Sequence, residues 1–267
     1  MLNKHAKKLI ILILLSYTGI TLLAHLVAPN FLFPVRRATY ENTRPIIHFQ
    51  TTTQHTLAAL WVKSEQSPYV ILYSHGNSTD IGMVSILMKH FKQHGFSVLA
   101  YDYSGYGHST GQPSEKNTYN DIQAAYEYLI KVKHILAKHI ILYGHSLGTG
   151  PTLHLAQNHT VAGIILEGGF VSAYQVFTHF NFIPFSPYQN LKLISKINAP
   201  ILIIHAKKDR IIPIWHSKKL LKYAPQPKFY LWENNSGHNM HIFGYHRDYW
   251  QAINNFRAFL KGYAVQK

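Results

Sequence analysis

Gly144-His145-Ser146-Leu147-Gly148 constrains the fold of this chain more than any other stretch. It stands between the apolar run Ile140-Ile141-Leu142-Tyr143 and a second apolar run through Leu153, Leu155 and Ala156, which Gly148-Thr149-Gly150-Pro151 opens. A G-x-S-x-G between a strand and a helix requires a sharp turn that holds the serine in a strained backbone conformation with its hydroxyl presented outward. Gly144 and Gly148 are expected where side chains would strike the neighbouring strand and helix. The helix N-terminus directly behind Ser146 offers partial positive charge to an oxyanion.

The rest of the chain supplies the framework that such a turn needs. Arg44 to Phe49 and Thr56 to Val62 read as an opening hairpin, and Tyr69-Val70-Ile71-Leu72-Tyr73 reads as a strand buried on both faces, ending at Ser74-His75-Gly76-Asn77. Helices are expected at Ile81 to His94 and Tyr119 to Lys133, with a strand at Ser97 to Tyr101 between them. Beyond the serine turn come strands at Val161 to Leu166, Ile201 to His205 and Lys228 to Trp232, and helices at Trp215 to Tyr223 and Asp248 to Lys261. Alternating strands and helices predict an α/β fold with a mostly parallel sheet covered on both faces. A chain of 267 residues with 47% hydrophobic content suits one such domain plus an appendage.

The appendage is the amino terminus. Leu9 to Val27 carries no formal charge over about 19 residues, close to the ~20 that cross a bilayer. We read residues 1–30 as a membrane anchor, with a cleaved signal peptide as the alternative. The anchor is preferred because no A-x-A-like cleavage site is evident. Residues 31–44 form a connector and 45–267 the catalytic body, with a cap at about 169–197. Lys4, Lys7 and Lys8 precede the span and Arg36 and Arg37 follow it, which places the amino terminus in the cytosol and the body on the non-cytoplasmic side. The net charge of +15 is dispersed without a nucleic-acid motif and reads as a solvated basic surface, so no nucleic-acid partner is expected and membrane lipid is met through the amino-terminal anchor. The absence of cysteine excludes a thiol nucleophile and thiolate metal sites.

A serine hydroxyl is a weak nucleophile until a base takes its proton and an acid orients that base. Asp209 lies just past the strand at 201–205, and His238 lies just past the strand at 228–232 in Asn235-Ser236-Gly237-His238-Asn239. With 19 histidines the choice of base needs argument: Gly237 suggests a tight turn before His238, whereas His241 is the alternative base and His246 reads as an exposed residue. Glu167, at another strand end, competes with Asp209. A His238/His241 metal pair lacks a carboxylate at ligand spacing, so no metal is expected. The second requirement is a pair of N–H groups for the developing oxyanion, for which the backbones of Leu147 and Asn77 are the candidates.

These motifs together resemble the α/β-hydrolase superfamily, and particularly its membrane-anchored alpha/beta hydrolase domain-containing branch, close to serine aminopeptidase-like hydrolases. The likeness rests on Ser74 to Asn77, Tyr101 to Glu115, Gly144 to Gly150, Asp209 to Pro213 and Gly237 to Asn239, and covers about residues 45 to 262. It implies the α/β-hydrolase fold and a lipid esterase, lysophospholipase or thioesterase activity without a cofactor. Ser104 and Ala206 depart from the branch, which usually has Arg and Gly there.

The resulting expectation is a serine hydrolase in which Ser146 attacks, His238 shuttles the proton, Asp209 orients it, and Asn77 and Leu147 hold the oxyanion. A serine aminopeptidase-type peptidase is the enzymatic alternative, and a non-catalytic scaffold on the same fold is the alternative of another class. The substrate is expected to be an acyl ester or lipid. Phe170, Tyr174 and Phe177 belong to an aromatic stretch, placed where the fold carries its cap, and are the candidate substrate-binding residues.

Overall fold

The computed structural model describes residues 3–35, 37–43, 45–180, 182–239 and 247–263. Among the described residues the sheet has eight strands, β1 (Ile46–Gln50), β2 (Thr56–Val62), β3 (Val70–Ser74), β4 (Ser97–Tyr101), β5 (Ile140–His145), β6 (Gly163–Glu167), β7 (Ile201–Ala206) and β8 (Lys228–Glu233). Their order is β1-β2-β4-β3-β5-β6-β7-β8. The β1–β2 hairpin and the β2–β4 pair are antiparallel, and the rest of the sheet is parallel. β3 to β7 are buried at every position, apolar on both faces, because helices lie on each side.

Alternation along the strands divides the core. Ile140 and Leu142 enter one cluster, shared with α3 (Glu115–Glu127), α4 (Thr149–Ala156), α6 (Asn190–Ile194) and α7 (Trp215–Tyr223). Ile141 and Tyr143 enter the other, shared with α2 (Ile81–Gln93) and the closing helix α8 (Arg247–Tyr263). The period of two in the strands thus meets an apolar stripe on each helix.

Helix α1 (Lys4–Leu32) is longer than the uncharged stretch that announces it. Asn3 caps it, with Oδ1 accepting from the Ala6 N–H at 2.8 Å, and the helix runs through Pro29. It is long and apolar enough to cross a membrane, and no residue of its apolar 18-residue stretch is buried in the protein. Leu32 and Phe33, at its carboxyl end, are buried in the core. Helix α3 begins at Glu115 rather than Tyr119, because Ser114 Oγ accepts from the Asn117 N–H at 3.1 Å and starts a polar first turn. It passes into a π-helical turn over Tyr128–Val132. The aromatic stretch after β6 contains a short helix, α5 (Ala173–Thr178).

Candidate active site

Parallel pairing sets Ser74, Gly144, Leu166, Ile203 and Tyr230 side by side across the sheet. The loops that leave these strands therefore emerge at one edge. His75 to Asn77 follow β3, Ser146 follows β5, Asp209 follows β7, and His238 follows β8.

Ser146 opens a 3-10 turn between β5 and α4, with φ of 52°. This left-handed conformation is unfavourable for a residue with a Cβ and persists only where the surroundings enforce it. Here they do. A Cβ on Gly144 would lie 2.6 Å from Gly148 O, and one on Gly148 would overlap Ser74 O at the end of β3. The two glycines let strand, turn and helix close on one another and on the neighbouring strand.

His238 Nε2 lies 2.9 Å from Ser146 Oγ, and His238 Nδ1 lies 2.7 Å from Asp209 Oδ2. With Nδ1–H donated to the carboxylate, Nε2 is free to accept the serine proton. Asp209 Oδ1 accepts from the N–H groups of Ile211 at 2.9 Å and Ile212 at 2.8 Å, which fixes the carboxylate plane. Burial pushes the Asp209 carboxyl up, but the hydrogen bond and charge of His238 and the Ile212 N–H outweigh it, so its pKa falls below the ordinary value. Glu167, the competing acid, is buried and accepts instead from the Tyr143 hydroxyl. His241, the alternative base, and His246, read as an exposed residue, lie outside the described residues.

The loop carrying His238 corrects one expectation. A Cβ on Gly237 would meet open space, and its φ is not in the left-handed region, so the turn does not depend on glycine. The Glu233 carboxylate holds the loop, accepting from the N–H groups of Asn235 and Ser236. His145 adds a second tie, its Nε2–H donating to His238 O at 3.3 Å. Gly168, with φ of 58°, leaves room for the imidazole, since a Cβ there would lie 3.2 Å from His238 Cε1. Behind Asp209, His205 donates Nε2–H to Ile212 O at 2.8 Å and accepts from Ser217 Oγ at 2.7 Å, and burial pushes its pKa down.

The orientation of the two candidate oxyanion donors follows from peptide planarity. Ser146 O accepts from the N–H and the hydroxyl of Thr149, so the Leu147 N–H in the same trans peptide points the opposite way, out of the helix N-terminus. Gly76 O accepts from the N–H and hydroxyl of Thr79, which turns the Asn77 N–H away from α2 in the same manner. A Cβ on Gly76 would stand 3.5 Å from Ser146 Cβ, so this peptide adjoins the serine. Two tyrosines clamp the loop. Tyr103 donates to His75 O at 2.7 Å and Tyr106 to Asn77 O at 2.9 Å. Both hydroxyls are held protonated by burial. Neither tyrosine stood out in the sequence beyond its place in the Tyr101 to Glu115 stretch.

The three cap residues take different places. Phe170 is buried in the main core cluster, edge-on to Tyr188 with centroids 6.2 Å apart. Tyr174 meets His25 of α1 at 5.3 Å, and the exposed Phe177 meets Phe31 of α1 at 6.4 Å. Among the described residues, no three His, Asp or Glu side chains converge as metal ligands.

Residues 69–180 match the family model of the alpha/beta hydrolase fold. Alpha/beta hydrolase domain-containing protein 17B of Xenopus tropicalis is 37% identical over 195 residues, covering 71% of this chain and 67% of that protein. Protein 17C of the same organism is 36% identical over 199 residues, covering 73% and 64% respectively. The chain thus spans about two thirds of the length of these relatives. Among solved structures, an esterase of Pyrococcus furiosus superposes with a TM-score of 0.68 at 15% identity, over 83% of this chain and 97% of that one. The esterase domain of a Rhodothermus marinus protein gives 0.58 at 20% identity, over 72% and 88%. At such identities the structural likeness speaks for the fold. From the sequence relatives and the shared architecture, the chain belongs to the alpha/beta-hydrolase superfamily, in the branch of the alpha/beta hydrolase domain-containing proteins.

Proposed function

We propose that the chain is a membrane-anchored serine hydrolase that cleaves carboxylic ester or thioester bonds of acyl substrates. The observation that carries this reading is the hydrogen-bonded series from Ser146 Oγ through His238 to Asp209 at the loop edge of the sheet. Ser146 Oγ attacks the acyl carbonyl as its proton passes to His238 Nε2. The imidazolium is stabilised by Asp209, and the alkoxide accepts from the Asn77 and Leu147 N–H groups. His238 then protonates the departing alcohol or thiol, leaving an acyl-enzyme. Water, deprotonated by the same imidazole, releases the acid and restores Ser146.

The anchor in this reading is α1, and the lysines before it place the body on the non-cytoplasmic side. A reporter fused after Lys267 that is active only in the cytosol would reverse that orientation. For the chemistry, a fluorophosphonate probe should label the wild-type protein and leave Ser146→Ala unlabelled, while acyl esters, acyl thioesters and aminoacyl amides are compared on one preparation. Labelling of the Ala variant at the wild-type rate would remove Ser146 from the mechanism. Preferential turnover of the aminoacyl amides would replace the esterase reading with a peptidase.

A further inference from the structure

We propose that α1 is more than a tether: it forms one wall of a groove that takes the hydrocarbon chain of a bilayer-resident ester or thioester. This rests on the hydrolase reading above and assigns its acyl-chain subsite. The groove measures about 260 Å³ and lies between α1 and the cap. Ala24, Ala28 and Phe31 line one side, and Tyr174, Phe177 and Ile183 the other. The α1 positions fall at i, i+4 and i+7, a single stripe of the helix. Two alanines on that stripe keep the helix surface low, which leaves a channel where larger residues would close it.

The occupant follows from the lining and from the surroundings. No polar atom is exposed in the groove, so a peptide or sugar would leave its hydrogen-bonding groups unpartnered there, whereas an alkyl chain loses nothing. The cap also reaches far along α1. Tyr17, near the middle of the helix, donates its hydroxyl to Phe182 O at 2.6 Å. Tyr17 lies 15 residues before Leu32, roughly 22 Å along the axis at 1.5 Å per residue, so the cap touches α1 at hydrocarbon depth. A loop carbonyl at that depth has no water to bind, and the Tyr17 hydroxyl supplies the missing donor. The surrounding rings are turned outward, with Phe177 61%, Phe180 74%, Phe182 48% and Phe185 81% exposed. Together with the bare apolar face of α1, such rings make a surface fitted to the acyl region of a leaflet. The groove opens within that surface.

The wall of the groove is tied to the loop beside the serine. Phe31, part of the groove wall, accepts at its carbonyl from Asn77 Nδ2 at 3.3 Å, and Asn77 belongs to the loop beside Ser146. An acyl chain leaving the bilayer through the groove thus has its carboxyl end carried toward the oxyanion loop.

The test uses full-length protein in lipid nanodiscs and fluorophosphonates bearing an ethyl or a hexadecyl chain. Each methylene in an apolar site is worth about a fourfold gain in reaction rate at most. Wild type should react faster with the hexadecyl probe. Ala24→Phe, from the helix side, and Ile183→Trp, from the cap side, should each cut the long-to-short rate ratio at least tenfold while the ethyl rate stays within twofold. An unchanged ratio in both variants overturns the proposal. A second readout does not depend on turnover. In Ser146→Ala protein, a hexadecanoyl ester with a diazirine at its chain end should crosslink to residues 173–183, and adding Ala24→Phe should remove at least nine tenths of that crosslink. Crosslinks that Ala24→Phe leaves unaltered overturn the groove even where Ser146 is the nucleophile. Failure of the ethyl probe to label Ser146 instead removes the hydrolase reading and leaves the crosslink to decide the groove.

Discussion

Asp209 illustrates how much one side chain has to do at this site. One carboxylate oxygen takes two backbone N–H groups and the other takes His238. An asparagine at 209 can keep the backbone contacts through its carbonyl, but it then presents an NH₂ to His238 Nδ1 and forces the proton onto Nε2. That tautomer cannot accept from Ser146. Asp209→Asn should therefore lower kcat on the order of 10⁴-fold with little change in thermal stability, as measured by ester turnover and differential scanning fluorimetry. Activity close to wild type would mean that another group orients the imidazole. At this scale chain order and strand ends single out Ser146, Asp209 and His238, three side chains that hydrogen bonds join in the fold. The sequence is uninformative where a residue acts through contacts distant in sequence: nothing local marks Tyr103 and Tyr106 as clamps on the His75 to Asn77 loop. Glu233 is legible in principle, as an acid at a strand end two and three residues before the N–H groups it holds, and it rather than Gly237 shapes the turn.

Elements were read best where burial dictates their pattern and worst where polar residues do. Strands β4 and helix α7 fall where periodicity puts them, but the first turn of α3, Glu115-Lys116-Asn117-Thr118, has no apolar stripe and is defined by its cap. That helix matters to the site because Asp121 on α3 holds the loop after β4. Its carboxylate accepts from the Ser104 N–H at 2.8 Å and the Ser104 hydroxyl at 2.7 Å, and His55 Nδ1 lies 3.0 Å from the same hydroxyl. Ser104 is the position where the family branch usually has Arg, and a short hydroxyl cannot neutralise the buried acid. Burial accordingly raises the Asp121 pKa to about 7, against the opposing hydrogen bonds from Ser104. A carboxyl whose pKa is raised on folding stabilises the fold below its unfolded pKa of ~3.9, and that stability is lost as the pH climbs through the folded value. The loss therefore falls between about pH 4 and pH 7. Asp209, whose pKa is lowered, acts in the opposite sense and in a lower window, below about pH 4. Asp121→Asn can retain the Ser104 contacts without a titrating group. Its melting temperature should decline less than that of wild type from pH 4 to pH 7, and identical profiles would show that Asp121 does not carry the dependence.

At the scale of the whole molecule, the connector after α1 is fastened rather than loose. The sequence marks residues 31–44 only as a connector, because its partners lie 41 to 68 residues away. Thr39 binds Asp80 twice, N–H to Oδ2 at 2.7 Å and hydroxyl to Oδ1 at 2.5 Å. Asp80 also caps α2 by accepting from the Met83 N–H at 3.0 Å. Tyr40 donates to Asp102 Oδ2 at 2.5 Å, and His108 Nε2–H donates to Tyr40 O at 2.9 Å. With Leu32 and Phe33 already in the core, the chain between α1 and the sheet is tied at both ends. Asp80 serves both the connector and a helix end, so Asp80→Ala tests the coupling. Loss of the cap alone should cost about 1 kcal/mol, and the two lost contacts to Thr39 should add a comparable amount. In detergent micelles the variant should melt several degrees lower, and limited trypsin digestion at Arg37 should be at least tenfold faster than in wild type, because local opening of the connector no longer has to break those bonds. Cleavage that is equally fast in both proteins would mean that the connector is open in solution and that α1 holds the body through the cap contacts alone.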